Sequence, residues 1–177
     1  MFIVELLGGH LAGSMALQAD ALDFLADSLT YAVSLWAIGK PLKLRGQVAI
    51  AKGVSLGLMG LYVMIATIYR VFVLGVPEAF TMSIIGFLAF ATNVGSLLLL
   101  YRWQNGDANV RSVWLCSRND AIGNVAVMIA ALMVGLTQSG WPDVIVAFIM
   151  AALFLSSSWQ IIRQAVNEMR LSKVGEA

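Results

Sequence analysis

The long apolar stretches between short polar clusters restrict this chain more than any other feature. Between those clusters, as from Gly53 to Leu74 and from Phe80 to Tyr101, the sequence is apolar on nearly every face of a helix drawn through it. A helix that is apolar all round belongs in lipid or in a large core. With 60% hydrophobic and 12% charged residues, the chain is far from the balance of a soluble domain. At about 20 residues per span, its length of 177 residues holds roughly six helices and leaves no room for a soluble domain. The expected fold class is an all-α integral membrane protein, a six-helix transmembrane bundle spanning the lipid bilayer.

Turn signals place the helices at about 1–14, 20–39, 53–74, 80–101, 112–136 and 142–169. The first is too short for a full span, and Gly8-Gly9 and Gly13-Ser14 let it pack closely on a neighbour. It is not a signal peptide, since it lacks a basic n-region and carries Glu5 and His10. Helix two ends at Lys40-Pro41, because a residue before proline is pushed out of helical geometry. Lys40, Lys43, Arg45 and Lys52 then read as a basic loop, and Gln104-Asn105-Gly106-Asp107 as a turn. The second loop, the fourth loop and the C-terminal end hold nine of the eleven Lys and Arg residues. By the positive-inside rule both termini face the cytoplasm.

Within this apolar frame, Asp20, Asp23 and Asp27 stand out. Their spacing puts all three on one stripe of helix two. A carboxylate near the bilayer centre costs about 2.5 to 3.5 kcal/mol on insertion scales, so Asp23 and Asp27 need a cation, protons or a partner charge. In helix five, Cys116 and Asp120 lie one turn apart on one face, followed by Asn124. Two carboxylates from helix two with a sulfur and a carboxylate from helix five suffice for tetrahedral coordination of a divalent metal, for which zinc is the usual occupant. The sulfur favours softer ions such as zinc or cadmium. Asp23-x-x-x-Asp27 and Cys116-x-x-x-Asp120 also echo one another, as in a site between two related halves.

The run Gly13-Ser14-Met15-Ala16-Leu17-Gln18-Ala19-Asp20-Ala21, followed by Asp23-x-x-x-Asp27, resembles the second helix of cation diffusion facilitators. Asn109-Val110-Arg111-Ser112-Val113-Trp114-Leu115, followed by Cys116-x-x-x-Asp120-Ala121-Ile122-Gly123, resembles their fifth. The resemblance covers nearly the whole chain. It implies a secondary transporter that exports divalent metal cations, chiefly zinc and also cadmium or cobalt, in exchange for protons, usually as a homodimer. The metal is then cargo held by Asp23, Asp27, Cys116 and Asp120, and no prosthetic cofactor is implied. Cys116 stands where the family usually has His or Asp. The family's cytoplasmic metal-binding domain after helix six and the His-rich loop before helix five are not expected here, so residues 1–177 form one transmembrane domain. The bacterial inner membrane is the expected location.

Other residues read more plainly. Asp20 is expected to cap helix two, Asn93 and Asn124 to hydrogen-bond between helices, and His10 to sit at the interface. Glu5 is a minor candidate to face the bundle and relay protons. Arg118 can snorkel, and Gly53, Gly57 and Gly60 read as close-packing positions. Net charge +1 argues against a nucleic-acid partner. One cysteine excludes an intramolecular disulfide. The lone histidine lies far from Cys116, and no phosphate-binding loop follows a strand, so the chain does not read as an enzyme. The alternatives to a metal exporter are a non-transporting scaffold or accessory protein and a proton-coupled exporter of small organic cations.

Overall fold

The computed structural model describes residues 1–36, 42–73, 75–103 and 108–175. These form six helices: α1 (Phe2–Ala12), α2 (Met15–Trp36), α3 (Leu42–Phe72), α4 (Ala79–Leu100), α5 (Ala108–Thr137) and α6 (Trp141–Gly175), with a short 3-10 turn at Tyr101–Trp103. Among the described residues, four stretches are long and apolar enough to cross a membrane: Gly46–Phe72, Ala79–Leu100, Ser117–Thr137 and Trp141–Asn167. Helix α2 has the length, but its three aspartates dilute its hydropathy. At 11 residues, α1 is about 16 Å long, half the bilayer core.

The chain turns from α1 into α2 at a single corner. Gly13 takes left-handed backbone angles, and its N–H bonds His10 O while the Ser14 N–H bonds Gly9 O, a Schellman closure. Helix α2 therefore starts at Met15 rather than near Asp20. Its capping side chain is Ser14, whose Oγ accepts from Leu17 N at 3.1 Å.

Helix α3 also starts earlier than Gly53, so Lys43, Arg45 and Lys52 lie in it rather than in a loop. Past Pro41, the run Leu-Lys-Leu-Arg-Gly-Gln-Val-Ala has only one weak helix former, and nothing stops the helix. Its 31 residues and the 35 of α6 reach about 46 and 52 Å, beyond a bilayer core. Helix α5 begins at Ala108, and the expected ends of helices two and three, with the 104–107 turn, fall on residues outside those described.

Helices α1, α2, α4 and α5 form a four-helix cluster, in which α1 packs on α2 and α4, and α5 on α4 and α2. Helices α3 and α6 form an antiparallel pair that meets the cluster through α2 and α5. A glycine stripe builds this pair. A Cβ on Gly53 would come 2.6 Å from Ile162, one on Gly57 2.7 Å from Ser158 Oγ, and one on Gly60 3.0 Å from Leu155. Ser158 Oγ also donates to Gly53 O at 2.7 Å. Gly46 continues the stripe against Met169. In the cluster, Gly8 meets Ile85, and Gly86 meets Val127 and Met128. Without a hydrophobic force between helices in lipid, such close backbone approach is what holds them together. Outward faces carry Leu98, Leu99, Ile129, Leu132, Ile145 and Ile149, all exposed to the surroundings as lipid-facing residues would be.

Candidate functional site

Helices α2 and α5 pack against each other, and their acidic faces meet. The Asp120 carboxyl of α5 stands within hydrogen-bonding reach of both Asp23 and Asp27 of α2. All three are half-buried. Tyr31, one turn beyond Asp27, donates its hydroxyl to Asp27 Oδ2 at 2.9 Å. The three carboxyls are neighbours in pairs rather than gathered about one centre. Among the described residues no three His, Cys, Asp or Glu stand so as to hold a metal ion. Cys116 lies on α5 one turn before Asp120, and its side chain is outside the described residues.

Asp23 and Asp27 line a cavity of about 600 Å³ between α2, α3 and α6. Its other walls come from the second half of α2 (Thr30, Val33, Trp36), the first half of α3 (Val48, Lys52, Ser55, Met59) and Phe154, Ser157 and Ile161 of α6. A route lined mainly by apolar groups thus ends on two carboxylates. Arg118 is exposed and stacks over Trp114 at 5.6 Å, so it does not turn toward the acidic face.

Asp20 does not cap α2. It is buried inside the helix, where its Oδ2 accepts from Asn124 Nδ2 at 2.6 Å. Asn124 Oδ1 accepts in turn from Asn93 Nδ2 at 2.9 Å, the interhelical role expected of both asparagines. Glu5 of α1 completes this line. It is fully buried and lies beside Asp20. Each helix of the four-helix cluster contributes one of these four residues. His10 is exposed at the end of α1.

A second polar centre holds the α1–α2 corner. Asp143, buried in the first turn of α6, accepts from Ser14 Oγ at 2.5 Å, Met15 N at 2.8 Å and Ala16 N at 3.1 Å. It satisfies two N–H groups that the start of α2 leaves without intrahelical partners. Arg70 of α3 donates to Gly13 O at 2.7 Å, and Glu78 N to Ala12 O at 2.8 Å. The α3–α6 pair therefore grips the bundle at this corner. Sequence reading alone does not single out Asp143, Ser14 or Tyr31 for these roles; only Tyr31 leaves a local signal, its one-turn spacing from Asp27.

Across residues 1–169 the sequence matches the cation efflux transmembrane domain. This chain belongs to the cation efflux family. The resemblance to cation diffusion facilitators drawn from helices two and five is thus borne out. The chain is 29% identical over 186 residues to the zinc transporter ZitB of Yersinia pestis, covering 94% of this chain and 58% of the relative. It is likewise 29% identical over 182 residues to ZitB of Escherichia coli strain K12, with the same shares. To the cadmium, cobalt and zinc/H(+)-K(+) antiporter of Bacillus subtilis it is 27% identical over 181 residues, covering 93% of this chain and 58% of that protein. The chain thus spans less than two thirds of the length of these relatives. As a cation efflux domain with four membrane-capable helices, it is a multi-pass membrane protein.

Proposed function

We propose that this chain is the membrane-spanning part of a secondary transporter that exports divalent metal cations in exchange for protons. Zinc is the first expected cargo, with cadmium and cobalt next, as the names of its relatives support. The observation that carries the reading is the meeting of Asp120 with Asp23 and Asp27 across α2 and α5, at the wall of a cavity. With Cys116 one turn away, the donor set is three carboxylates and a sulfur, which suits a tetrahedral, zinc-like ion.

These ligands bind metal only when deprotonated, so loading the ion releases protons and refilling the site with protons expels it. The cavity lies toward the helix ends that carry Lys43, Arg45 and Arg163. By the positive-inside rule this end is cytoplasmic, and metal enters there. Rocking of the helices then exposes the site on the other side. The bacterial relatives support an inner-membrane location. Following the resemblance, the working unit is a homodimer, which the mass of the particle in a lipid nanodisc tests.

The chain's single cysteine makes the site testable. Zinc should slow alkylation of Cys116 by a thiol reagent in the parent and fail to do so in Asp27→Asn and Asp120→Asn. Equal protection in all three proteins would refute this ligand set.

A further inference from the structure

The buried polar line at the centre of the four-helix cluster is left without a role by the metal site. Its hydrogen bonds run one way: Asn93 donates to Asn124 at 2.9 Å, and Asn124 donates to Asp20 at 2.6 Å. An ionised carboxylate can only accept, so an amide that turns its N–H groups to Asp20 fits Asp20 as the charged end of the line. A metal ion beside Asp20 would instead attract the amide oxygen of Asn124, which faces Asn93.

On the other side of Asp20 sits Glu5, 0% exposed, and neither of its carboxyl oxygens finds a donor. Its polar neighbour is the Asp20 carboxyl, within hydrogen-bonding reach. Two carboxyls can bond only through a proton, and two charged ones would repel strongly in a dry bundle. From α2, Asp20 and Asp23 face Glu5; from its own helix, the Met1 ammonium lies one turn back without bonding it. Helix α4, the other helix packed on α1, carries no charged residue.

We propose that Glu5 and Asp20 form a proton-binding site separate from the metal ligands, which loads when the metal site is empty and empties when metal binds. In the loaded state the Glu5 O–H donates to the Asp20 carboxylate. When a dication settles among Asp23, Asp27, Cys116 and Asp120, the Glu5 O–H bond breaks, the proton leaves to water and Glu5 stays behind as a carboxylate. The two positive charges that arrive beside Asp23, one turn along α2 from Asp20, compensate the extra negative charge. The site thus adds a proton to the exchange without touching the cargo. This rests on the metal-transport reading above.

Glu5→Gln keeps the size of the side chain and can still donate to Asp20, but it cannot release a proton. Zinc titration calorimetry in buffers of different ionisation heat counts the protons released. The variant should release about one proton fewer per zinc bound than the parent; an equal count overturns the proposal. If the variant does not fold, the unmutated protein decides. With isotope-labelled glutamate carboxyls, its metal-free infrared spectrum should show a protonated glutamic-acid carbonyl band that zinc removes. Glu78, the other glutamate with a described side chain, is exposed to solvent. Absence of the band in the metal-free protein overturns the proposal. A parent that binds no zinc refutes the metal site instead, while the metal-free band still reports whether Glu5 holds its proton.

Discussion

Replacing Asp143 by asparagine should weaken the grip of α6 on the α1–α2 corner more than any comparable change outside the transport site. The carboxylate accepts from three donors: the Ser14 hydroxyl and the Met15 and Ala16 N–H groups. Asparagine keeps one acceptor oxygen and turns an NH₂ toward N–H donors, so one or two of these bonds go. Hydrogen bonds to a charged group contribute about 1.5 to 3 kcal/mol each. Relief from burying a charge offsets part of the loss, leaving a net cost on the order of 2 to 4 kcal/mol. At about 2 to 4 °C per kcal/mol for a chain of this size, the midpoint of thermal unfolding in detergent should fall by roughly 10 °C. Ser14→Ala removes the α2 cap and one donor, and should cost about 1 to 2 kcal/mol. The double variant should lose less than the two single losses together, because both changes remove the same contact. A midpoint for Asp143→Asn unchanged from the parent, or strict additivity with Ser14→Ala, would refute the claim that this cluster joins the α3–α6 pair to the bundle.

Gly57→Leu would drive a side chain into Ser158 on the facing helix and should cost about 1 to 3 kcal/mol of overpacking or more, read as a lower unfolding midpoint, whereas the same change at Gly95, with open space around it, should be tolerated. Tyr31→Phe removes the hydroxyl that bonds Asp27; at about 1.5 to 3 kcal/mol for a bond to a charged group, zinc affinity measured by calorimetry should fall by roughly ten- to hundredfold, and by less than in Asp27→Asn. Glu78 caps α4, and acceptance from the Thr81 N–H holds its carboxyl below the ordinary value of 4.5. Its support for the α4 start is therefore full above that value and fades as pH falls through the lower folded one. Amide exchange at Thr81 should quicken with acid in the parent, beyond the intrinsic pH trend, and Glu78→Gln should abolish that extra dependence.

Much of this architecture is legible in the sequence because lipid imposes simple rules. Apolar runs must be helices of bilayer length, and glycines spaced as Gly53, Gly57 and Gly60 are must lie where helices touch. Aspartates inside such runs demand a reason, which brings Asp23, Asp27 and Asp120 forward. Helix starts are harder to read. Asp20 precedes an apolar run as a cap would, yet the left-handed Gly13 reverses the chain within one residue and hands the cap to Ser14. The basic residues before Gly53 resemble a loop by charge alone, although lysine and arginine continue a helix readily once it leaves the membrane. Asp143 acts on Ser14, a residue 129 positions away, and no local pattern announces a cap supplied by another helix.

The most direct test of the central claim is zinc and cadmium uptake into proteoliposomes under an imposed pH gradient, with the parent beside Asp120→Asn. Metal flux that requires the gradient and vanishes in the variant is the predicted result. Equal flux in both proteins, or flux indifferent to the gradient, would contradict a proton-linked carrier with its site between α2 and α5.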